Sequence, residues 1–80
     1  MNIKTAEEIE DFFAIVDECK GHVEFRTQWG DVFNLQSTLS RFIVPAAMLS
    51  ENGQYLELFC ESKEDEQKFF KFFNDHPTTM

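Results

Sequence analysis

Two four-residue stretches, Thr5-Ala6-Glu7-Glu8 and Ser62-Lys63-Glu64-Asp65, decide how this chain is read. Each has the pattern of a capping box, in which a hydroxyl side chain accepts from the amide three residues on and an acidic side chain reaches back. After the first, Ile9, Phe12, Phe13, Val16 and Cys19 recur at helical spacing, with Glu7, Glu10, Asp11, Asp17 and Glu18 on the opposite face. Lys20 suits the negative end of that helix, and Gly21 is the expected C′ residue. After the second box a helix is predicted to about Asn74, stopping before His76-Pro77. A frayed tail is expected from Thr78 to Met80.

Between the two boxes the period changes from 3.6 to 2. His22 to Thr27 alternates, placing Val23 and Phe25 on one face and Glu24 and Arg26 on the other. Gln28-Trp29-Gly30-Asp31 is a turn, and Val32 to Leu35 resumes extended structure, which makes a hairpin. Ser37 reads as the N-cap of a short helix, Thr38 to Val44, in which Leu39, Phe42 and Ile43 share a face. Pro45 is expected to end or bend it, with Ala46 to Leu49 adding a further turn. Glu51-Asn52-Gly53-Gln54 is a turn. The run Tyr55 to Cys60 is apolar enough to predict a central strand. Residues 2–4 suffice only for a very short edge strand.

The order helix, strand, strand, short helix, strand, helix predicts an α+β fold. One antiparallel sheet of three to four strands should carry three helices on one face, in a single domain over residues 1–80. Ile9, Phe12, Phe13, Val16, Phe25, Leu35, Leu39, Leu58, Phe69 and Phe73 should share its core. A chain of 80 residues buries only about 60% of its unfolded surface. Its ten phenylalanines compensate, at roughly 1.5–3 kcal/mol for each one fully buried. Little material is left to wall a deep cleft.

Composition narrows the function classes. A net charge of −8, with only seven Lys and Arg, argues against nucleic acid and anionic membrane; it either serves solubility or suits a partner with a basic surface. Cys19 and Cys60 form no CxxC pair, and with His22 and His76 standing apart no metal or other cofactor is expected. The segment after Met1 is polar, and no stretch approaches 18 apolar residues, so neither a signal peptide nor a membrane span is predicted and a cytoplasmic location is expected. No nucleophile–base pair, carboxylate pair in contrasting surroundings or phosphate loop is present, so the chain reads as a non-enzyme.

The residues left over point to association. Trp29 at a hairpin tip is either a ring folded back over the sheet edge or an exposed contact anchor. Phe69, Phe70, Phe72 and Phe73 span roughly 160° of their helix, wider than a one-sided stripe requires. Phe70 should lie at or beyond the rim, either capping the core edge or forming a partner surface. With Phe42 and Met48 from the segment around Pro45, Trp29 and Phe70 make the candidate interaction residues. A symmetric homodimer is one way to cover this aromatic area together with an unpaired strand edge, and at −8 per chain it should tighten as salt rises.

The segment Val32-Phe33-Asn34-Leu35-Gln36-Ser37-Thr38-Leu39 resembles the strand-to-helix step of the HPr family, the phosphocarrier proteins of the bacterial sugar phosphotransferase system, which typically read Val-Asn-Leu-Lys-Ser followed by apolar residues. Glu64-Asp65-Glu66-Gln67-Lys68 is similar to the start of that family's last helix, and a helix ending at Lys20-Gly21 before a hairpin matches in order and spacing. The resemblance spans roughly residues 5–74. It implies an open-faced β-sandwich with a four-stranded sheet, and two phosphorylation sites. The family's phosphocarrier histidine belongs at the start of the first helix, where Met1 to Glu8 holds none, and the arginine that follows it is also missing. The family's regulatory serine maps onto Ser37, although Gln36 stands in place of the usual lysine and Arg41 and Pro45 change the following helix. The resemblance thus implies a non-catalytic HPr-like regulatory or protein-interaction module of the bacterial cytoplasm. The alternative it implies is a regulatory protein of carbon metabolism phosphorylated on Ser37.

Overall fold

The first predicted helix starts where its sequence requires, with the hydroxyl half of its capping box formed and the Glu8 carboxylate meeting the Thr5 hydroxyl rather than the Thr5 amide. In the computed structural model, which describes residues 3–76, helix α1 spans Ala6–Glu18 and Thr5 is its N-cap. The Thr5 hydroxyl oxygen accepts from the Glu8 amide at 3.1 Å and the hydroxyl donates to the Glu8 carboxylate at 3.0 Å. A hairpin follows, β1 (Val23–Arg26) and β2 (Val32–Asn34), then α2 (Thr38–Leu49), a short 3-10 helix (Glu51–Tyr55), β3 (Glu57–Cys60) and α3 (Lys63–Asp75). Both neighbours of β1 run antiparallel to it, in the order β2-β1-β3. This is the α+β architecture expected: three helices and an antiparallel three-stranded sheet with one open face.

The alternation of β1 sorts the sheet into two faces. Val23 and Phe25 are fully buried, and with Phe33, Leu58 and Cys60 they face the helices. Phe12 is the hub of the core. Its ring stacks on Phe25 at 5.4 Å between centroids, lies 5.2 Å from Phe69, and meets Phe13 and Phe72 edge-on. One ring thus joins α1, β1 and α3. Glu24, Arg26, Val32, Asn34, Glu57 and Phe59 fall on the opposite face.

Several expectations are corrected. The strand predicted as central, around Tyr55 to Cys60, is an edge strand, and β1 occupies the middle. Tyr55 belongs to the 3-10 helix instead. The apolar run misleads because Phe59 lies on the open face, where the Arg26 guanidinium covers its ring at 4.0 Å. Helix α2 continues through Pro45, since Val44 and Met48, on either side of it, are both held in the core. Leu39, placed in the core from sequence, is 67% exposed. Ile3, Val23, Val44, Met48, Leu56 and Phe72 complete the core that Ile9, Phe12, Phe13, Val16, Phe25, Leu35 and Phe69 were expected to form. Leu58 and Phe73 pack against it only in part. Ile3 is buried without belonging to a strand; of the edge strand envisaged at residues 2–4, Asn2 lies outside the described residues, as does the tail Thr78 to Met80.

Glycines act at two turns. Gly30 takes φ +90 in a loop closed by bonds from the Thr27 amide to the Asp31 carbonyl and from the Gly30 amide to the Thr27 carbonyl. At Gly53 a Cβ would stand 2.3 Å from the Met48 carbonyl oxygen, so the chain can cross the end of α2 only with glycine there. Gly21 is not the left-handed C′ residue expected, because α1 ends with Cys19 in an extended conformation and a different device takes over.

That device is Asp65. Ser62 is the N-cap of α3, but its side chain makes no capping bond. The Asp65 carboxylate instead turns to the α1–β1 connection, accepting the Gly21 amide at 2.8 Å and the Lys20 amide at 3.1 Å. Lys68 stands 3.6 Å from the same carboxylate and donates to the Glu18 carbonyl at 3.0 Å, so the cation at the end of α1 comes from α3 rather than from Lys20. The amides of Gly21 and Lys20, followed by the Lys68 charge, hold the Asp65 carboxyl below its ordinary pKa against the opposing effect of burial. A depressed folded pKa means that the unfolded chain binds the proton more readily. The stabilisation is therefore complete above the unfolded value of about 4 and is lost as pH falls through the folded value. Asp65→Ala is expected to lower the free energy of unfolding by about 2–3 kcal/mol at neutral pH. Urea denaturation followed by circular dichroism should also show the wild type losing this advantage over the variant as the solution is acidified.

Candidate functional site

Helix α2 is apolar on two opposite sides. Val44 and Met48 face inward, while Leu39, Phe42, Ile43 and Leu49 are 67, 79, 48 and 51% exposed. Positions 39, 42, 43, 46 and 49 fall on one stripe of a 3.6-residue helix, so these side chains form a continuous apolar row. Arg41 leaves the row to pair with Asp17 on α1 and lies 5.3 Å from the Phe13 ring centroid. Nothing among the described residues covers the row.

The residues singled out from sequence separate into different places. Phe42 lies at the centre of the row. Met48 does not belong to any surface: it is 4% exposed, because it follows the buried Val44 by one helical turn. Trp29 is exposed at the hairpin tip, its ring meeting the Tyr55 ring edge-on at 5.6 Å. Phe70 is exposed on α3, at a groove of about 350 Å³ lined by Leu58, Phe59, Cys60, Glu66, Phe69 and Phe73. Ser37 caps α2; its hydroxyl oxygen is 3.5 Å from the Ser40 amide and its own amide donates to the Asn34 carbonyl. Sequence reasoning placed Leu39, Phe42 and Ile43 on one face and took Phe42 for a contact residue, but assigned Leu39 to the core and Met48 to the surface. The signal that this face points outward is that Val44 and Met48, one turn apart, form a second stripe on the opposite side.

Polar chemistry gathers on the open face of the sheet. Glu24 is nearly buried there, with Arg26 Nε donating to it at 2.6 Å and His22 Nε2 at 2.7 Å. The Arg26 bond, seconded by His22, lowers the Glu24 pKa. Glu24 and Arg26 neutralise one another, and the pair holds Arg26 above Phe59. Cys60 has its thiol pKa pushed up to about 11, first by burial and then by Cys19, Glu66 and Asp65. The Cys19 thiol is raised as well, also by burial first, and it donates to the Ile15 carbonyl at 3.2 Å. Neither thiol is poised as a thiolate. Among the described residues no three His, Cys, Asp or Glu side chains converge to hold a metal ion, and no helix is long and apolar enough to cross a membrane.

Comparison of the chain with protein-family models, curated proteins and solved structures finds no match in any of the three.

The two sides of α2 should respond oppositely to substitution. Met48→Ala opens the core and is expected to cost about 2–4 kcal/mol. Phe42→Ser is expected to change stability by less than about 0.5 kcal/mol, because nothing packs over the ring. Thermal unfolding of the two variants beside the wild type measures both.

Proposed function

We propose that this chain is a non-catalytic, HPr-like protein-interaction module of the bacterial cytoplasm, which docks a partner on the outer row of α2. The observation that carries this reading is the exposure of Leu39, Phe42, Ile43 and Leu49 on a helix whose opposite side is already buried. Solubility alone would favour polar residues there. The net charge of −8 favours a partner whose apolar patch is rimmed by Lys and Arg. The HPr-like lineage is supported by the motifs around Ser37 and Glu64 together with the order helix, hairpin, helix, strand, helix. The module is non-catalytic in this reading because Met1 to Glu8 carries no histidine.

A second reading, modification of Ser37, is favoured by its place at the N-terminus of α2. A phosphate there would meet free amides and the positive end of the helix dipole. Incubation with an HPr kinase and ATP, followed by weighing the intact chain, separates the two: added phosphate on Ser37 supports the second reading, and an unchanged mass removes it.

The first reading is tested by immobilising the wild type and a Leu39→Ser/Phe42→Ser double variant and exposing both to the same bacterial lysate at low and high salt. A protein retained by the wild type and lost from the variant is expected, with retention weakening as salt rises. Equal capture by the two would overturn docking through α2. Incubation with phosphoenolpyruvate and the first enzyme of the phosphotransferase system is expected to leave His22 and His76 unmodified. Acid-labile phosphate on either would overturn the non-catalytic assignment.

A further inference from the structure

A second surface, separate from α2, has a more specific form. Strand β3 is at the edge of the sheet, and no strand pairs with its outer side among the described residues. The amide of Glu61 donates to the His22 carbonyl at 2.9 Å. Antiparallel ladders alternate bonded and non-bonded pairs, so Phe59 and Glu57 also face β1, and the N–H and C=O groups of Leu58 and Cys60 point away from the sheet. Beside these outward-facing groups, which no strand among the described residues pairs with, runs the groove lined by Phe69, Phe70 and Phe73 of α3. A strand added along β3 would place every second side chain in that groove. Its alternate side chains would fall on the open face beside Glu57, Phe59 and Glu61. Glu66 stands in the groove wall, and all three glutamates are exposed.

We propose that the outer edge of β3 and its groove bind an extended segment of a partner protein in which apolar and basic residues alternate. The segment joins the sheet as a fourth strand. Main-chain bonds to Leu58 and Cys60 supply the affinity, the groove takes the apolar side chains, and Glu57 and Glu61 take the basic ones, whose aliphatic stems can lie along Phe59. A second copy of this chain is the wrong occupant. The self-pairing that uses the whole strand, centred on Phe59, sets Glu57 of each copy opposite Glu61 of the other, and like charges directly opposite destabilise a strand pair. The proposal does not depend on the α2 reading, since it uses other elements and another kind of ligand.

The probe is a short end-blocked peptide alternating lysine and valine, titrated into the full chain labelled with nitrogen-15. The expected result is a shift of the Leu58, Cys60 and Phe70 amide resonances and slowed hydrogen exchange at Leu58 and Cys60. The same peptide carrying N-methyl groups on its alternate, edge-facing amides keeps its side chains and must not bind. Because that control alters only the peptide, folding of the protein is not in question. A glutamate–valine peptide should bind roughly tenfold more weakly or not at all, and Glu57→Lys/Glu61→Lys should reverse that preference. The Leu39→Ser/Phe42→Ser variant should bind the lysine–valine peptide as the wild type does, so failure of the α2 reading leaves this result intact. No shift at Leu58 and Cys60, equal binding of the N-methylated or acidic peptide, or protection of those amides by dimerisation without peptide would each overturn the proposal.

Discussion

Asp65 ties the start of the last helix to the end of the first, and the rest of the fold hangs on that tie. Its carboxylate gathers the amides of Lys20 and Gly21, two donors that the end of α1 leaves without helical partners, while Lys68 reaches across to the Glu18 carbonyl. The chain can then leave α1 in an extended conformation and enter β1 at once, with Val23 and Phe25 pointing into the core. The same contact fixes where α3 begins relative to α1, and Phe12 of α1, Phe25 of β1 and Phe69 of α3 meet around one ring centre. An ionised carboxylate at 1% exposure is costly unless hydrogen-bonded, and here every bond is to a group that needed an acceptor.

How much of this could be read from the chain depended on whether one residue had one job. Thr5-Ala6-Glu7-Glu8 acts locally, so its helix appears where it was expected. Ser62-Lys63-Glu64-Asp65 has the same form but a different use: the helix starts there, yet Asp65 serves a loop more than forty residues away in sequence, which no local pattern reports. The alternation of Val23 to Arg26 placed Val23 and Phe25 together correctly. It could not show that Glu24 would be sealed between His22 and Arg26, since that depends on side chains two residues apart on one face closing over it.

Helix α2 marks the limit of periodicity as evidence. Leu39, Phe42 and Ile43 share a face, as their spacing requires, but spacing fixes which residues lie together and not which way they point. Val44 and Met48 compete for the inward side and win it, because Gly53 brings the chain back against the Met48 carbonyl and closes the core there. The same ambiguity affected β3. Leu58 and Cys60 face the helices while Phe59 lies under Arg26 on the open side. A cation over an aromatic ring gives an edge strand the composition of a central one, and the strand order follows from pairing that hydropathy does not encode.

The candidate surfaces were harder to read than the fold because each is defined by what does not cover it. A free β edge beside an apolar groove is a hazard for any small domain, since it can template pairing with any chain that offers a strand. Glu57 and Glu61 bracket this one with exposed carboxylates at both ends of β3. Charges so placed oppose a second copy of the same strand and an acidic segment. They leave the main-chain groups of Leu58 and Cys60 open to a strand that brings its own positive charge. The negative charge around β3 thus acts as a filter at this edge, and the same residues that keep copies of the chain apart define the chemistry of the segment that can join it.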